Sequence, residues 1–267
     1  MGTLERIFGR QKPVIAMLHL PGLPGRPWHD VAGGRARIVD VVARDLAVVQ
    51  GAGVDGVLFC NEQDVPYHLA VGHEAVAAMA AVVGELRREV RVPFGVNLLW
   101  DAKASLAVAR ATGASFIREV LTGVYESDLG MIEPRVGEIA DYRARIGASD
   151  VALFDNIAPE FASAVGSRSV ADRARGAAFL GMDAILISGP AAGTQFAMSD
   201  LRAAKEAVPE ADVVANTGVR SETIASIFAV ADGAIVGTSL KRDGYIWNEV
   251  DPDRARRLVD AAGAARG

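Results

Sequence analysis

Eight short runs of apolar, often β-branched residues punctuate this chain at near-regular intervals, over residues 14–18, 56–59, 94–98, 116–118, 151–154, 184–187, 213–215 and 233–236. None alternates cleanly between apolar and polar positions, which is the signature of a strand buried on both faces. Between the runs lie longer segments rich in Ala, Leu and Arg, such as "VVARDLAVVQGAG" (41–53) and "SVADRARGAAFLGMD" (169–183). These have helical spacing, and each holds a glycine near its end that suits a helix C-cap. Eight strand-then-helix units use up a chain of 267 residues, close to the roughly 250 that a closed eight-stranded barrel takes. The expected fold class is therefore α/β, a single (β/α)8 TIM barrel spanning residues 1–267. An open doubly wound sheet is the structural alternative, but it offers no reason for eight units. No linker, low-complexity stretch or charge block divides the chain.

Composition narrows the classes of partner. Formal net charge is -5, and no Lys/Arg run is interleaved with aromatics, so neither nucleic acid nor an anionic membrane is expected as a partner. The one cysteine, Cys60, allows no internal disulfide and no CxxC metal site. The start "MGTLERIFGRQK" has no apolar leader core, and every apolar run stops well short of the ~18 residues of a membrane helix. A cytoplasmic protein with a small-molecule partner is expected, with a homo-oligomer left open.

In such barrels the site is assembled at the carboxyl ends of the strands. The residues that follow the apolar runs are polar at all eight ends: His19; Asn61 and Glu62; Asn97 with Asp101; Arg118 with Glu119; Asp155 with Asn156; Ser188-Gly189; Asn216-Thr217-Gly218; and Gly237-Thr238-Ser239. Any one alone would serve to cap a loop or pair a charge. Together they point to a working site. His19, Glu62, Asp101, Glu119 and Asp155 are the candidate acid–base groups. Asn61, Asn97, Arg118, Asn156 and Ser188 are the candidate substrate contacts.

The glycines after the seventh and eighth runs suggest an anion cradle, because a residue without a side chain lets backbone amides come close to a phosphate. Gly189, Gly193, Thr217, Gly218, Gly237, Thr238 and Ser239 are the candidate phosphate-binding residues, with Lys241 as a charge at the rim. An aspartate at position 237 is accordingly expected to abolish phosphate binding. Cofactors are not expected: no GxGxxG follows the first strand, and no strand end carries a lysine placed for Schiff-base chemistry, Lys103 falling in a helix start. No metal is assigned, since His29, His68 and His73 lie in loops without HExxH or HxH spacing.

Five segments, "KPVIAMLHLPGLPG" (12–25), "GVDGVLFCNEQDVPY" (53–67), "FGVNLLWD" (94–101), "FIREVLTGVYESDLGMIE" (116–133) and "ADGAIVGTSLKRDG" (231–244), together resemble the BtpA/SgcQ family over nearly the whole chain. The resemblance implies a phosphate-binding type of TIM barrel. It implies no single reaction: the family is named for photosystem I accumulation in cyanobacteria, while bacterial relatives accompany sugar-uptake genes and are read as enzymes. Asn61, Asn97, Arg118, Gly189 and the 237–239 segment match the family pattern. After the fifth strand the family's Asp-Val-His-Val-Lys-His becomes "NIAPEF" (156–161), so Asn156, Ala158, Glu160 and Phe161 replace Asp, His, Lys and His. The family's Arg-Asn-Asp after the third strand becomes Trp100, Asp101 and Ala102. The expected function is an enzyme acting on a phosphorylated sugar or related small phosphate ester by isomerase, lyase or glycosyl-cleaving chemistry. The alternative, favoured by the lost histidines, is a non-catalytic assembly or regulatory factor that retains the barrel.

Overall fold

A computed structural model describes residues 2–266. Its centre is a closed barrel of eight parallel strands: β1 (Val14–His19), β2 (Gly56–Cys60), β3 (Phe94–Asn97), β4 (Phe116–Glu119), β7 (Ala152–Asn156), β9 (Ala184–Ile187), β10 (Asp212–Asn216) and β11 (Gly233–Val236). They neighbour one another in that order, and β11 closes on β1 through the pairs Val14 with Ala234 and Ala16 with Val236. All eight apolar runs are thus barrel strands. Several extend one or two residues further than the runs suggest, so that His19, Cys60, Asn156 and Asn216 are themselves strand residues.

Both faces of each strand are buried, for different reasons. Alternate residues such as Leu18, Val96, Ile117, Ala215 and Val236 face the surrounding helices and join one core. The others, including Ile15, Met17, Leu58, Phe116, Phe154, Leu186, Val214 and Ile235, fill the barrel interior and form a second. Phe116 and Phe154 stack there with ring centroids 4.5 Å apart. Gly95 is small because a Cβ would lie 2.4 Å from the Phe116 ring.

The helices α2 (Gly34–Ala52), α3 (His73–Leu86), α4 (Ala102–Thr112), α5 (Val136–Arg145), α6 (Val170–Phe179), α7 (Met198–Ala207), α8 (Ile224–Phe228) and α9 (Pro252–Ala265) ring the barrel. Their starts follow ordinary capping chemistry. Asp101 accepts from the Ala104 amide to cap α4, Asp251 accepts from two amides to cap α9, and Ser169 with Asp172 forms a reciprocal box at α6.

Two features were not anticipated. A short N-terminal helix, α1 (Thr3–Phe8), plugs the amino end of the barrel: Leu4 is 2% exposed, and Phe8 meets Phe116 edge-on at 5.7 Å. At the opposite end β5 (Tyr125–Ser127), β6 (Gly130–Ile132) and β8 (Ala162–Ala164) make a small antiparallel sheet from the loops after β4 and β7. With three residues each and Glu126, Ser127 and Ser163 among them, these strands carry no apolar run to announce them. Among the described residues no helix is long and apolar enough to cross a membrane.

Candidate active site at the carboxyl end of the barrel

Strand period decides which polar residues face the mouth. Side chains two apart share a face, so the interior line that holds Met17, Phe116, Phe154, Leu186, Val214 and Ile235 continues upward into His19, Arg118, Asn156, Ser188, Asn216 and Gly237. Asn97 likewise follows Gly95. His19, Glu62, Arg118, Glu160, Asn216, Thr217 and Gly237 line a central cavity of about 60 Å³.

A buried polar network closes the floor of this cavity. Arg118 Nη1 donates to Asn97 Oδ1 at 3.0 Å, and its Nη2 donates to both Glu160 oxygens at 2.8 and 3.0 Å. Glu160 also accepts from Asn156 Nδ2 at 3.1 Å, Asn216 Nδ2 at 3.2 Å and the Thr217 hydroxyl. Ser188 donates to Asn156 Oδ1 at 3.1 Å and accepts from Asn216 Nδ2 at 2.7 Å. Glu160 was noted in the sequence only as a departure, yet it holds this network together. Its partner Arg118 lies 42 residues away in the chain, a separation that sequence pattern cannot bridge.

His19 and Glu62 stand beside the network. The imidazole Nε2 is 3.9 Å from Glu62 Oε2. Burial, reinforced by the charge of Lys241, holds His19 well below the usual imidazole range, so the ring is neutral at physiological pH. Burial pushes the Glu62 carboxyl up against the opposing pull of Arg118. Glu62 accepts from the Tyr67 hydroxyl at 3.3 Å and from the Cys60 thiol at 3.5 Å. Burial and the nearby Glu62 raise that thiol well above its ordinary range, so Cys60 is no ready nucleophile.

Four expected site residues lie elsewhere. Glu119 points away from the mouth and accepts at Oε1 from Asn97 Nδ2 and Ser105 Oγ, both at 2.7 Å. Burial pushes it to about 8 against the opposing pull of these two hydrogen bonds and of Arg118. Asp155 accepts from the Leu121 and Thr122 amides and, at 2.6 Å, from the Thr122 hydroxyl, which orders the turn after β4. Burial lifts it to about 6. Asp101 caps α4 and also accepts from the Val71 amide at 3.2 Å. Asn61 donates to Asp64 and accepts from the Leu99 amide, both at 2.8 Å, and so ties two loops together. Asp155, Asp101 and Asn61 are spent on backbone order and Glu119 on buried side-chain partners, because the strand or loop position of each turns it away from the mouth.

The glycines divide likewise. A Cβ on Gly189 would fall 1.8 Å from the Thr194 carbonyl oxygen, and one on Gly218 would fall 2.3 Å from the Gln195 Cα. Both are therefore small so that the loop after β9 can fold over the strand ends. Gly193 and Ala192 of that loop line the central cavity together with Gly218 and Thr238, and the same four residues line a larger neighbouring cavity of about 570 Å³. Its other walls include Ser239, Ser221, the cations Arg220, Arg254 and Arg257, and the carboxylates Glu222 and Asp243. Thr217 and Gly237 line the centre instead, and a Cβ on Gly237 would sit 3.2 Å from His19 Nε2. Ser239 donates its hydroxyl to the Val219 carbonyl at 2.6 Å. Lys241 is no rim charge: it is 2% exposed and donates to Asp45 Oδ2 at 2.6 Å. The cations at the large cavity are Arg220, next to the Gly218 turn, and Arg254 and Arg257, three apart on α9. Only that helical spacing hinted at the latter pair. Among the described residues no cluster of three or more His, Cys, Asp or Glu is arranged to hold a metal ion.

The sequence pattern of the BtpA family matches residues 10–264. The chain belongs to the BtpA family. It is 42% identical over 261 residues to the putative sgc region protein SgcQ of Escherichia coli (strain K12), covering 97% of each chain. To the photosystem I biogenesis protein BtpA of Synechocystis sp. (strain ATCC 27184 / PCC 6803 / Kazusa) it is 32% identical over 263 residues, covering 97% of this chain and 90% of that one. In fold it is similar to the (S)-3-O-geranylgeranylglyceryl phosphate synthase of Thermoplasma acidophilum, solved in complex with its substrate sn-glycerol-1-phosphate. The TM-score is 0.65 with 15% identity, over 98% of both chains. That likeness is one of architecture.

Proposed function

We propose that this BtpA-family barrel is a cytoplasmic enzyme acting on a small phosphate ester, a phosphorylated sugar or close relative, by proton transfer at the barrel mouth. One observation carries the reading: an arginine-lined cavity and an acid–base centre share the walls formed by Ala192, Gly193, Gly218 and Thr238. A ligand of a few carbons would reach from one to the other. Its phosphate would meet Arg220, Arg254 and Arg257, where charge-assisted hydrogen bonds are strongest. Its reacting carbon would lie against His19 and Glu62, within reach of both.

The division of labour follows from the environments. Glu62, its carboxyl pushed up by burial, is the group placed to give or take a proton. His19, neutral, offers one ring nitrogen as acceptor and one as donor. Arg118, held by Asn97 and Glu160, is fixed in the cavity wall as a hydrogen-bonding group beside a substrate oxygen. These roles serve isomerisation, carbon–carbon cleavage or glycosyl cleavage alike. Support also comes from the barrel synthase of the same architecture, which takes sn-glycerol-1-phosphate.

A thermal-shift screen of sugar phosphates tests the reading. A ligand at a hundredfold excess over its dissociation constant should stabilise the fold by about 2.7 kcal/mol, and the double substitution Arg254→Gln with Arg257→Gln should remove most of that gain. Absence of stabilisation by every phosphorylated compound would sink the proposal.

A further inference from the structure

The balance of charge differs between the two connected cavities. At the outer one three cations, Arg220, Arg254 and Arg257, outnumber two carboxylates, Glu222 and Asp243. At the centre the ionisable lining groups are His19, Glu62, Arg118 and Glu160. Arg118 is the cation among them, and its Nη2 is bound by both oxygens of Glu160, so the two charges cancel inside the protein. A carboxylate has about four lone-pair positions. Those of Glu160 are taken by Arg118, Asn156, Asn216 and Thr217, which leaves it held in place against a competing anion. The remaining charged group at the centre is Glu62, itself an acid.

Resting on the phosphate-ester reading above, we infer that the substrate is anionic at its phosphate end alone, its reacting end being an uncharged hydroxyl or carbonyl group, and that Glu160 is the residue that sets this specificity. The class is a phosphorylated sugar or polyol, to the exclusion of phosphorylated carboxylic acids.

The rest of the lining agrees. Asn216 and Thr217 stand in the same wall as His19 and Arg118, and such uncharged hydrogen-bonding groups match a hydroxyl or carbonyl oxygen without bringing charge. A carboxylate placed there would face Glu160 and Glu62, and juxtaposed like charges weaken binding heavily, by roughly a hundredfold for a shift of a few kcal/mol.

The test compares ligands matched in length that differ at the reacting end. Sorbitol 6-phosphate, glucose 6-phosphate and fructose 6-phosphate are set against 6-phosphogluconate, and glyceraldehyde 3-phosphate against 3-phosphoglycerate, by titration calorimetry on the full chain. At least one neutral-ended member should bind, with its acid counterpart at least tenfold weaker. Glu160→Gln keeps most of the hydrogen bonds but removes the charge, and should narrow that gap by tenfold or more. Equal or tighter binding of the acids to the unsubstituted protein overturns the inference and leaves the phosphate-ester reading standing. Failure of every phosphorylated compound to bind overturns both. An unchanged gap in a folded Glu160→Gln protein removes Glu160 as the determinant. Should that variant not fold, the comparison on the unsubstituted protein still decides the substrate class.

Discussion

His19 Nε2 stands 3.9 Å from Glu62 Oε2, close enough for both to touch one substrate atom and too far to form a hydrogen bond with each other. The neutral imidazole explains why they do not close up as an ion pair. At pH 6 an unperturbed imidazole is about three-quarters protonated, whereas His19 should still be neutral. Nitrogen-detected NMR of the imidazoles, assigned with a His19→Asn variant, checks this. A His19 resonance that titrates near 6.5 would contradict it. Because the folded value is depressed, the linked stability is present above the unfolded pKa near 6.5 and is lost as pH falls below it.

Glu119 gives the opposite dependence. Its folded value is about 8, raised from about 4.3 in an unfolded chain. The stability linked to its protonated form is present below the unfolded pKa and drains away as pH climbs through about 8. The loss is on the order of 1 kcal/mol for each pH unit over that window. Urea midpoints measured at pH 5 and pH 8 should therefore differ in the parent, with the higher at pH 5. In Glu119→Gln the difference should shrink markedly, because the amide does not ionise. Equal pH dependence in parent and variant would show that Glu119 is ionised throughout.

Gly218 has φ +73°, and a Cβ there would meet the Gln195 Cα at 2.3 Å. Gly218→Ala should cost about 1–3 kcal/mol and should speed amide exchange in residues 191–195. Gly113 is the control: its φ is +78° but nothing lies within 4 Å of its Cβ position. Gly113→Ala should lose only the conformational part and leave exchange in that loop unchanged. If the two variants behave alike, the loop does not depend on close approach to Gly218.

Leu4 plugs the amino end of the barrel, fastened by its amide to Asp212 Oδ2 at 2.8 Å and packed near Gly233, whose Cβ position is 3.0 Å from Leu4 Cδ1. Leu4→Ala should cost about 2–5 kcal/mol, readable as a lowered denaturant midpoint with unchanged slope. A loss below about 0.5 kcal/mol would mean that α1 is an ornament on the barrel.

The proposed anion cradle shows how part of a candidate site can be seen in a sequence while its rest stays hidden. Gly193, Gly218, Thr238 and Ser239 were legible because glycines and hydroxyls cluster after the last apolar runs, and they do line the outer cavity. Arg254 and Arg257 were not, since α9 reads as an ordinary charged surface helix until the barrel closes and brings it beside the Gly218 turn. An aspartate at position 237 also changes meaning. Its side chain would enter the central cavity beside His19, so on the proposed reading the effect expected is at His19 rather than at the phosphate.

Eight apolar runs with polar ends were enough, by themselves, to determine the strands, their parallel order and the end of the barrel that carries the polar groups. That follows from local physics: continuous apolar runs must be buried on both faces, and helical connections force parallel pairing. What only the tertiary structure decided is which polar side chains meet. His19, Arg118, Asn156 and Asn216 face the mouth, while Asn61, Glu119 and Asp155 turn toward loops and helices. A strand with one wet face announces its inward side by alternation, but here helix-facing Ile117 and interior-facing Phe116 are equally apolar. The parity on which the site depends is therefore absent from the pattern and appears only when the barrel closes.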